Sequence, residues 1–252
     1  MPRINSLKKS LLLGNTHIGT WCELPCPPVV NVIANSGMDF VIIDLEHGSA
    51  SYETTQNMIN AALVEDCWPI IRVSNNHAPH ILRVSELGSH AIMIPHISSP
   101  EAARKAVSAC LYHPAGTKGL GPYTRLHEYS PKDLRETIPQ SNSETFVGVL
   151  VEGEEGLNAV PQIAGVEGLD MIYLGIYDIS ISLGLAGQLD HPKVLHAIER
   201  SVKSIREKGK IAGSYAPDEK FIQMLTDLGF HFIAYSNDCN ALASHFRINS
   251  ES

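Results

Sequence analysis

Phe40-Val41-Ile42-Ile43-Asp44-Leu45-Glu46-His47-Gly48 decides how the rest of the chain is read. The run from Phe40 to Ile43 is bulky and β-branched, the pattern of a strand buried on both faces of a parallel sheet. Two carboxylates and an imidazole follow within four residues, and a glycine closes the segment. Charged groups at the end of a buried strand are costly to place for packing alone. In parallel α/β folds that end of a strand is where sites are built. The plainer reading is a polar loop facing solvent, since loops are polar whatever they do. Complementary groups at the ends of other strands separate the two readings.

The chain alternates on either side of this strand. A short helix over 6–13 ends at Gly14, and 18–24 reads as the first strand. Pro27-Pro28 opens a helix that runs to Asn35 and closes at Gly37, proline being tolerated in a first turn. Residues 52–64 carry apolar side chains at helical spacing, with Ser49 or Ser51 as the cap. Buried strands follow at 69–73, 91–96, 146–151, 171–176, 211–215 and 230–235. Helices over 79–87, 100–111, 156–164, 192–208, 218–228 and from Cys239 separate or follow them. The segment 113–129, with Gly116, Gly119, Gly121 and Pro122, breaks the rhythm as a long loop. Strict alternation implies a parallel sheet with right-handed crossovers. Eight such units in 252 residues close as a (β/α)8 TIM barrel, one domain over 1–252. A dinucleotide fold would want G-x-G-x-x-G after an early strand, and none follows 18–24 or 40–46.

A net charge of -8 without a Lys/Arg stripe argues against nucleic acid or an anionic membrane as partner. The five cysteines are odd in number and scattered through apolar runs, which suits reduced thiols in a cytoplasmic protein. Cys22 and Cys26 lack the second pair that a zinc site needs. Leu11-Leu12-Leu13 is too short for a secretory leader, and no stretch is long enough to span a bilayer.

The strand ends bring Asp44, Glu46, His47, Arg72, His96, Glu152 and Asp178 to one mouth of such a barrel. Four carboxylates against one arginine repel one another, and a bound divalent cation relieves that repulsion. Two carboxylates completed by waters and substrate oxygens is the usual way to hold Mg²⁺, and Mn²⁺ accepts the same donors. Glu152 and Asp178, on strands five and six, are the natural ligand pair; salt-bridged structural residues are the alternative. His47 is the candidate acid/base, because imidazole titrates near neutral pH, with Asp44 orienting it. Arg72 stands where an oxyanion develops. His96 is equally a packing residue or a substrate contact. Together these parts describe enolate chemistry on a 2-oxo acid.

With Ile43-Asp-Leu-Glu-His47, Ile71-Arg72-Val73, Tyr112-His-Pro-Ala-Gly116, the Glu152 strand end, Gly175-Ile-Tyr-Asp178-Ile-Ser180 and His191-Pro192, the chain resembles the HpcH/HpaI class II, metal-dependent pyruvate aldolases. The resemblance runs from Ile18 to about Phe246. It implies a barrel of the phosphoenolpyruvate/pyruvate-binding type, and a cytoplasmic lyase that forms or cleaves 4-hydroxy-2-oxo acids through a metal-bound pyruvate enolate. Its partners are then a small 2-oxo acid and an aldehyde, and its cofactor is Mg²⁺, Mn²⁺ or Co²⁺. Glu152 and Asp178 match the metal ligands, Arg72 the residue at the enolate oxygen, and His47 with Asp44 the acid/base. Glu46 matches a carboxylate near the metal's waters, and Gly175, Ile176 and Tyr177 match the segment that holds the substrate carboxylate. The resemblance also implies a homo-oligomer, a hexamer or trimer of dimers, with the last helix (about 239–247) on a neighbouring subunit. The chain departs from the family pattern at Leu150, Ile176 and Tyr177, and has Lys118 where an arginine is usual in the glycine loop. His96, Lys118, Tyr123 and Arg125 are expected at the acceptor side of the site. Two other functions compete: a biosynthetic condensing enzyme of citrate-synthase type on the same site, and a catalytically silent metabolite-binding barrel.

Overall fold

The structure, a computed structural model, describes residues 4–130 and 133–247. Eight parallel strands close in sequence order into a barrel: β1 (His17–Cys22), β2 (Phe40–Asp44), β3 (Trp68–Arg72), β4 (Ala91–Ile94), β5 (Phe146–Val151), β6 (Met171–Leu174), β7 (Ile211–Ala216) and β8 (Phe232–Asn237). The (β/α)8 expectation therefore holds. The outer ring contains α2 (Pro27–Asn35), α3 (Tyr52–Val64), α4 (Ala78–Ser85), α5 (Pro100–Cys110), α7 (Glu154–Ile163), α9 (Pro192–Glu207), α10 (Glu219–Leu228) and α11 (Asp238–Phe246). Between Ser49 and Ser51 as caps of α3 the structure decides for Ser51, whose hydroxyl accepts from the Thr54 N–H at 3.1 Å.

Period-two alternation sorts each strand's side chains. In β2, Val41 and Ile43 face the helices, whereas Phe40 and Ile42 face the barrel axis. The interior core adds Trp21, Ile70, Met93, Phe146, Leu150, Met171, Tyr173, Ile211 and Phe232. Phe40 and Phe232 stack there with ring centroids 3.9 Å apart. Gly19 makes room for that stack, because a Cβ on it would lie 2.3 Å from the Phe40 ring.

The barrel's two ends are closed differently. At the floor, the end where strands begin, α1 (Ile4–Leu12) inserts Leu7 and Leu11 into the interior core. Lys8 pins this helix to Asp170, just before β6, at 2.8 Å. At the other end the inward positions turn polar: Asp44 follows Phe40 and Ile42, and Arg72 follows Ile70.

Three departures from the sequence reading matter. Residues 111–124 form a long loop, as expected, but it leads through a 3-10 turn (Arg125–His127) to an extra helix, α6 (Leu134–Glu144). Pro139 inside α6 hid it from the pattern. The sixth strand stops at Leu174, and Ile176–Ser182 is a short helix, α8, rather than a strand exit. The last strand is shifted toward the C-terminus, with Asn237 capping α11. No described helix is long and apolar enough to cross a membrane.

Candidate active site

Asp44 and Arg72 are paired across adjacent strands in register, both nearly inaccessible to solvent. Arg72 Nε donates to Asp44 Oδ1 at 2.8 Å and Nη2 to Oδ2 at 2.5 Å, a two-point fork that a lysine would not reproduce. The guanidinium lies over the Trp21 ring, 4.5 Å from its centroid, and Trp21 Nε1 donates to the Tyr173 hydroxyl at 3.1 Å. The third guanidinium nitrogen, Nη1, is 3.0 Å from Glu46 Oε2. That oxygen receives no well-directed hydrogen bond, so the contact is one of charge rather than of aimed donor and acceptor. Burial works against the charge on Arg72, but the Asp44 hydrogen bond and the fields of Asp44, Glu46 and Glu152 outweigh it and raise its affinity for the proton.

A second link runs on through His96. Its ring places Nε2 2.6 Å from Glu46 Oε1 and Nδ1 2.9 Å from Glu152 Oε2. Its backbone N–H also donates to Glu152 Oε2, at 3.0 Å. His96 adopts a left-handed backbone, φ 57°, which costs a non-glycine residue about 1–2 kcal/mol and persists where surroundings demand it. His96 is thus exposed and bridges two carboxylates at the mouth rather than packing in the core.

Glu152 ends the inward series Phe146, Gly148, Leu150 of β5. Burial raises its pKa above the usual glutamate value; the His96 contacts pull the other way, and Glu46 and Asp178 push it up further. Gly175 sits directly against it: a Cβ there would approach Glu152 Cγ to 2.9 Å. Asp178 lies in the first turn of α8, exposed, and with Glu152 it lines a cavity of about 510 Å³ at the mouth. Arg72, Gly175, Ile176 and Tyr177 line the same cavity.

Two expected placements do not occur. Asp44 does not orient His47: its oxygens are engaged by Arg72 and by the Glu46 N–H at 2.9 Å. His47 is exposed beyond the turn and acts electrostatically on Glu23. Lys118 is not brought to the mouth. Its loop leaves the C-terminal end of α5, which runs back from the mouth toward the start of β5, and its N–H bonds the Leu111 carbonyl at 2.9 Å. There Lys118 Nζ lies 4.7 Å from the centroid of the Tyr112 ring.

Sequence reasoning also missed residues that the cavity uses: Trp21, Glu23, Tyr173, Tyr215, Asn237 and Asn240. Strand parity carries the signal for the first four. If Phe40, Ile42 and Asp44 face inward, the same rule applied from Gly19 selects Trp21 and Glu23, and from Met171 and Ile211 it selects Tyr173 and Tyr215.

The mouth's donors bear on metal binding. Glu152 Oε1 and the Asp178 carboxylate accept no hydrogen bond from the described residues, and both face the cavity. No group of three or more His, Cys, Asp or Glu among the described residues is arranged to hold a metal ion. Two carboxylates with oxygens left open suit a hard divalent ion that takes its remaining oxygens from water and substrate, and do not suit an all-protein cage.

A closed parallel barrel with a buried arginine, ionisable side chains and a cavity at the strands' C-terminal ends has the build of a TIM-barrel enzyme. The chain matches the family described as HpcH/HpaI aldolase/citrate lyase over residues 17–244. It is 32% identical over 240 residues to the pyruvate aldolase of Rhizobium etli, covering 95% of this chain and 94% of that one. It is likewise 32% identical to the 4-hydroxy-2-oxo-heptane-1,7-dioate aldolase of Shigella flexneri, covering 95% and 89%. Among solved structures, citrate synthase SbnG superposes with a TM-score of 0.86 at 30% identity, covering 95% and 93%. The chain belongs to the HpcH/HpaI aldolase/citrate lyase family and is an enzyme of the aldolase type, a lyase acting on small molecules.

Proposed function

We propose that the protein is a divalent-metal-dependent aldolase that forms or cleaves 4-hydroxy-2-oxo acids through the enolate of pyruvate or a close 2-oxo acid. One observation carries the reading: the unbroken chain Asp44–Arg72–Glu46–His96–Glu152 across the mouth, ending at a carboxylate whose Oε1, like the Asp178 carboxylate, accepts no hydrogen bond from the described residues. Glu152 and Asp178 are the residues that would hold the metal. When bound, a divalent ion polarises a chelated 2-oxo acid and lowers the cost of developing negative charge.

The protein's own residues supply the rest. Asp44 fixes the Arg72 guanidinium rigidly, so its charge is already aimed when an oxyanion develops beside it. Gly175, Ile176 and Tyr177 border the place for the substrate carboxylate. Proton transfer falls to His47, in the turn after β2, or to His96, which touches both Glu46 and Glu152. Trp21 and Tyr173 exclude water from beneath the guanidinium.

The test combines exchange and calorimetry. With Mn²⁺, Co²⁺ or Mg²⁺, wild-type protein should exchange pyruvate methyl protons with deuterium, and Asp178→Asn should lose metal binding while staying folded. Unchanged metal affinity in Asp178→Asn would sink the ligand assignment. The likeness to citrate synthase SbnG supports a second reading, condensation of an acyl donor with a 2-oxo acid. Release of free thiol from an acyl-CoA, without turnover of 4-hydroxy-2-oxo acids, would select it.

The same reading takes the chain as one domain working in the reducing cytoplasm, its five cysteines as free thiols. It also has α11 packing on a neighbouring subunit of a homo-oligomer, supported by Leu242 and Phe246, which are 47% and 73% exposed on that helix. Phe246→Asp should then lower the mass measured by light scattering; an unchanged mass with α11 intact counts against the contact.

A further inference from the structure

The mouth cavity has two unlike sides. One carries Arg72, Glu152 and Asp178, where the donor acid and its metal are placed above. The other is built at the ends of β1, β7 and β8 from Glu23, Tyr215, Asn237 and Asn240, with Tyr177 reaching over from α8. No role has been given to these five residues as a group.

We infer that this second side is the acceptor subsite, that it takes an uncharged aldehyde carrying hydroxyl groups, and that it discriminates against aldehydes ending in a carboxylate. The inference rests on the aldolase reading of the cavity and adds the class of its second substrate.

Charge argues first. The described lining contains three carboxylates, Glu23, Glu152 and Asp178, against one guanidinium. That guanidinium is already forked onto Asp44 and faces Glu46. A metal ion at Glu152 and Asp178 would be consumed by the donor acid. An acceptor's terminal carboxylate therefore meets no free cation in the described lining and meets Glu23 instead. Bringing two unpaired anions together out of bulk water is strongly unfavourable.

The hydrogen-bonding inventory argues second. Asn237 Oδ1 accepts the Asn240 N–H at 2.6 Å as the cap of α11, which leaves the Asn237 amide N–H groups without a described acceptor. Asn240 Nδ2 donates to Ser236 Oγ at 2.9 Å, leaving Asn240 Oδ1 without a described donor. Glu23 makes no described side-chain hydrogen bond or ion pair. Its place is set through the backbone, because buried Asp238 accepts the N–H groups of Glu23 and Leu24 at 3.1 and 2.9 Å. The subsite thus offers free donors and free acceptors side by side. A hydroxyl group donates and accepts at once and satisfies both, whereas a carboxylate only accepts. The tilted Tyr177–Tyr215 pair, with ring centroids 5.4 Å apart, gives the carbon chain an aromatic wall.

The experiment pairs aldehydes so that each comparison isolates one feature. With pyruvate and Mn²⁺, glyceraldehyde is measured against propanal for the hydroxyl groups, and butanal against 4-oxobutanoate for the carboxylate. We expect kcat/KM to favour glyceraldehyde over propanal, and butanal over 4-oxobutanoate, each by roughly tenfold, the scale of one unmatched polar group. Glu23→Gln should shrink the second ratio, and Glu23→Lys should reverse it. Because each ratio is taken within one variant, a general loss of activity cancels. Equal or better use of 4-oxobutanoate by the wild type, or a ratio that Glu23→Lys leaves in place, overturns the subsite. Failure of the aldolase reading looks different: wild-type protein with metal would not exchange pyruvate methyl protons at all, and the subsite would fall with it. Exchange combined with a preference for carboxylate-ended aldehydes removes this inference alone.

Discussion

The barrel buries a cation at each end, and the two behave oppositely. At the mouth, Arg72 is 8% exposed, and its carboxylate neighbours more than offset the cost of burial. Toward the floor, Lys118 is also 8% exposed, but no described carboxylate pairs with it. Burial pulls Lys118 down to about 8, and Cys110 and Glu86 restore little. Equal burial therefore says nothing about charge until the partners are named. The mouth keeps its cation charged, as the role proposed for Arg72 requires, while the floor holds an amine that gives up its proton readily.

The comparison breaks most visibly at Arg72. Arg72→Met leaves Asp44 buried without its partner and should cost about 3–5 kcal/mol in chemical denaturation. A loss below 1 kcal/mol would mean that the fork contributes nothing to the fold. Next comes the floor plug: Leu7→Ala empties space in the interior core and should cost about 2–4 kcal/mol by the same measurement, without abolishing pyruvate proton exchange. Lys118→Met should act in the other direction. The folded pKa lies below the unfolded value of 10.5, so the penalty of Lys118 is complete below about pH 8 and vanishes as pH rises to 10.5. The variant should be more stable by about 1–3 kcal/mol at pH 7, with the gain fading across that window. A gain independent of pH would assign the effect to packing alone. The smallest effect on stability is expected for exposed His47→Gln, within about 0.5 kcal/mol. If His47 carries the proton transfer, that variant still slows exchange; unaltered exchange would shift the role to His96.

The same contrast explains what could be read from residues alone. Barrel closure was legible because buried strands such as Phe40–Asp44 and Phe146–Val151 are dense in β-branched and aromatic residues and alternate with helices that glycine or proline delimits. Six of the mouth's groups, Asp44, Glu46, Arg72, His96, Glu152 and Asp178, were legible because charged residues at the ends of such strands stand out. Their pairing was not. Sequence proximity suggested Asp44 for His47, whereas strand register delivers Asp44 to Arg72, 28 positions away. Lys118 was misplaced for a related reason: a loop's composition does not say at which end of a barrel it lies, but the direction of the preceding helix does. Pro139 and the shortness of α8 concealed two helices whose existence depends on tertiary packing rather than on local preference.

Gly175 gives the mouth a fine adjustment that no charged residue provides. Its hydrogen sits where a methyl would press on Glu152, so the lean of that acid toward Asp178 is governed by the bulk of a neighbour without chemistry of its own. If the two acids hold a metal ion as proposed, a change at this one neighbouring position would widen or narrow their bite, and with it the size of ion that fits, leaving every reactive group in place.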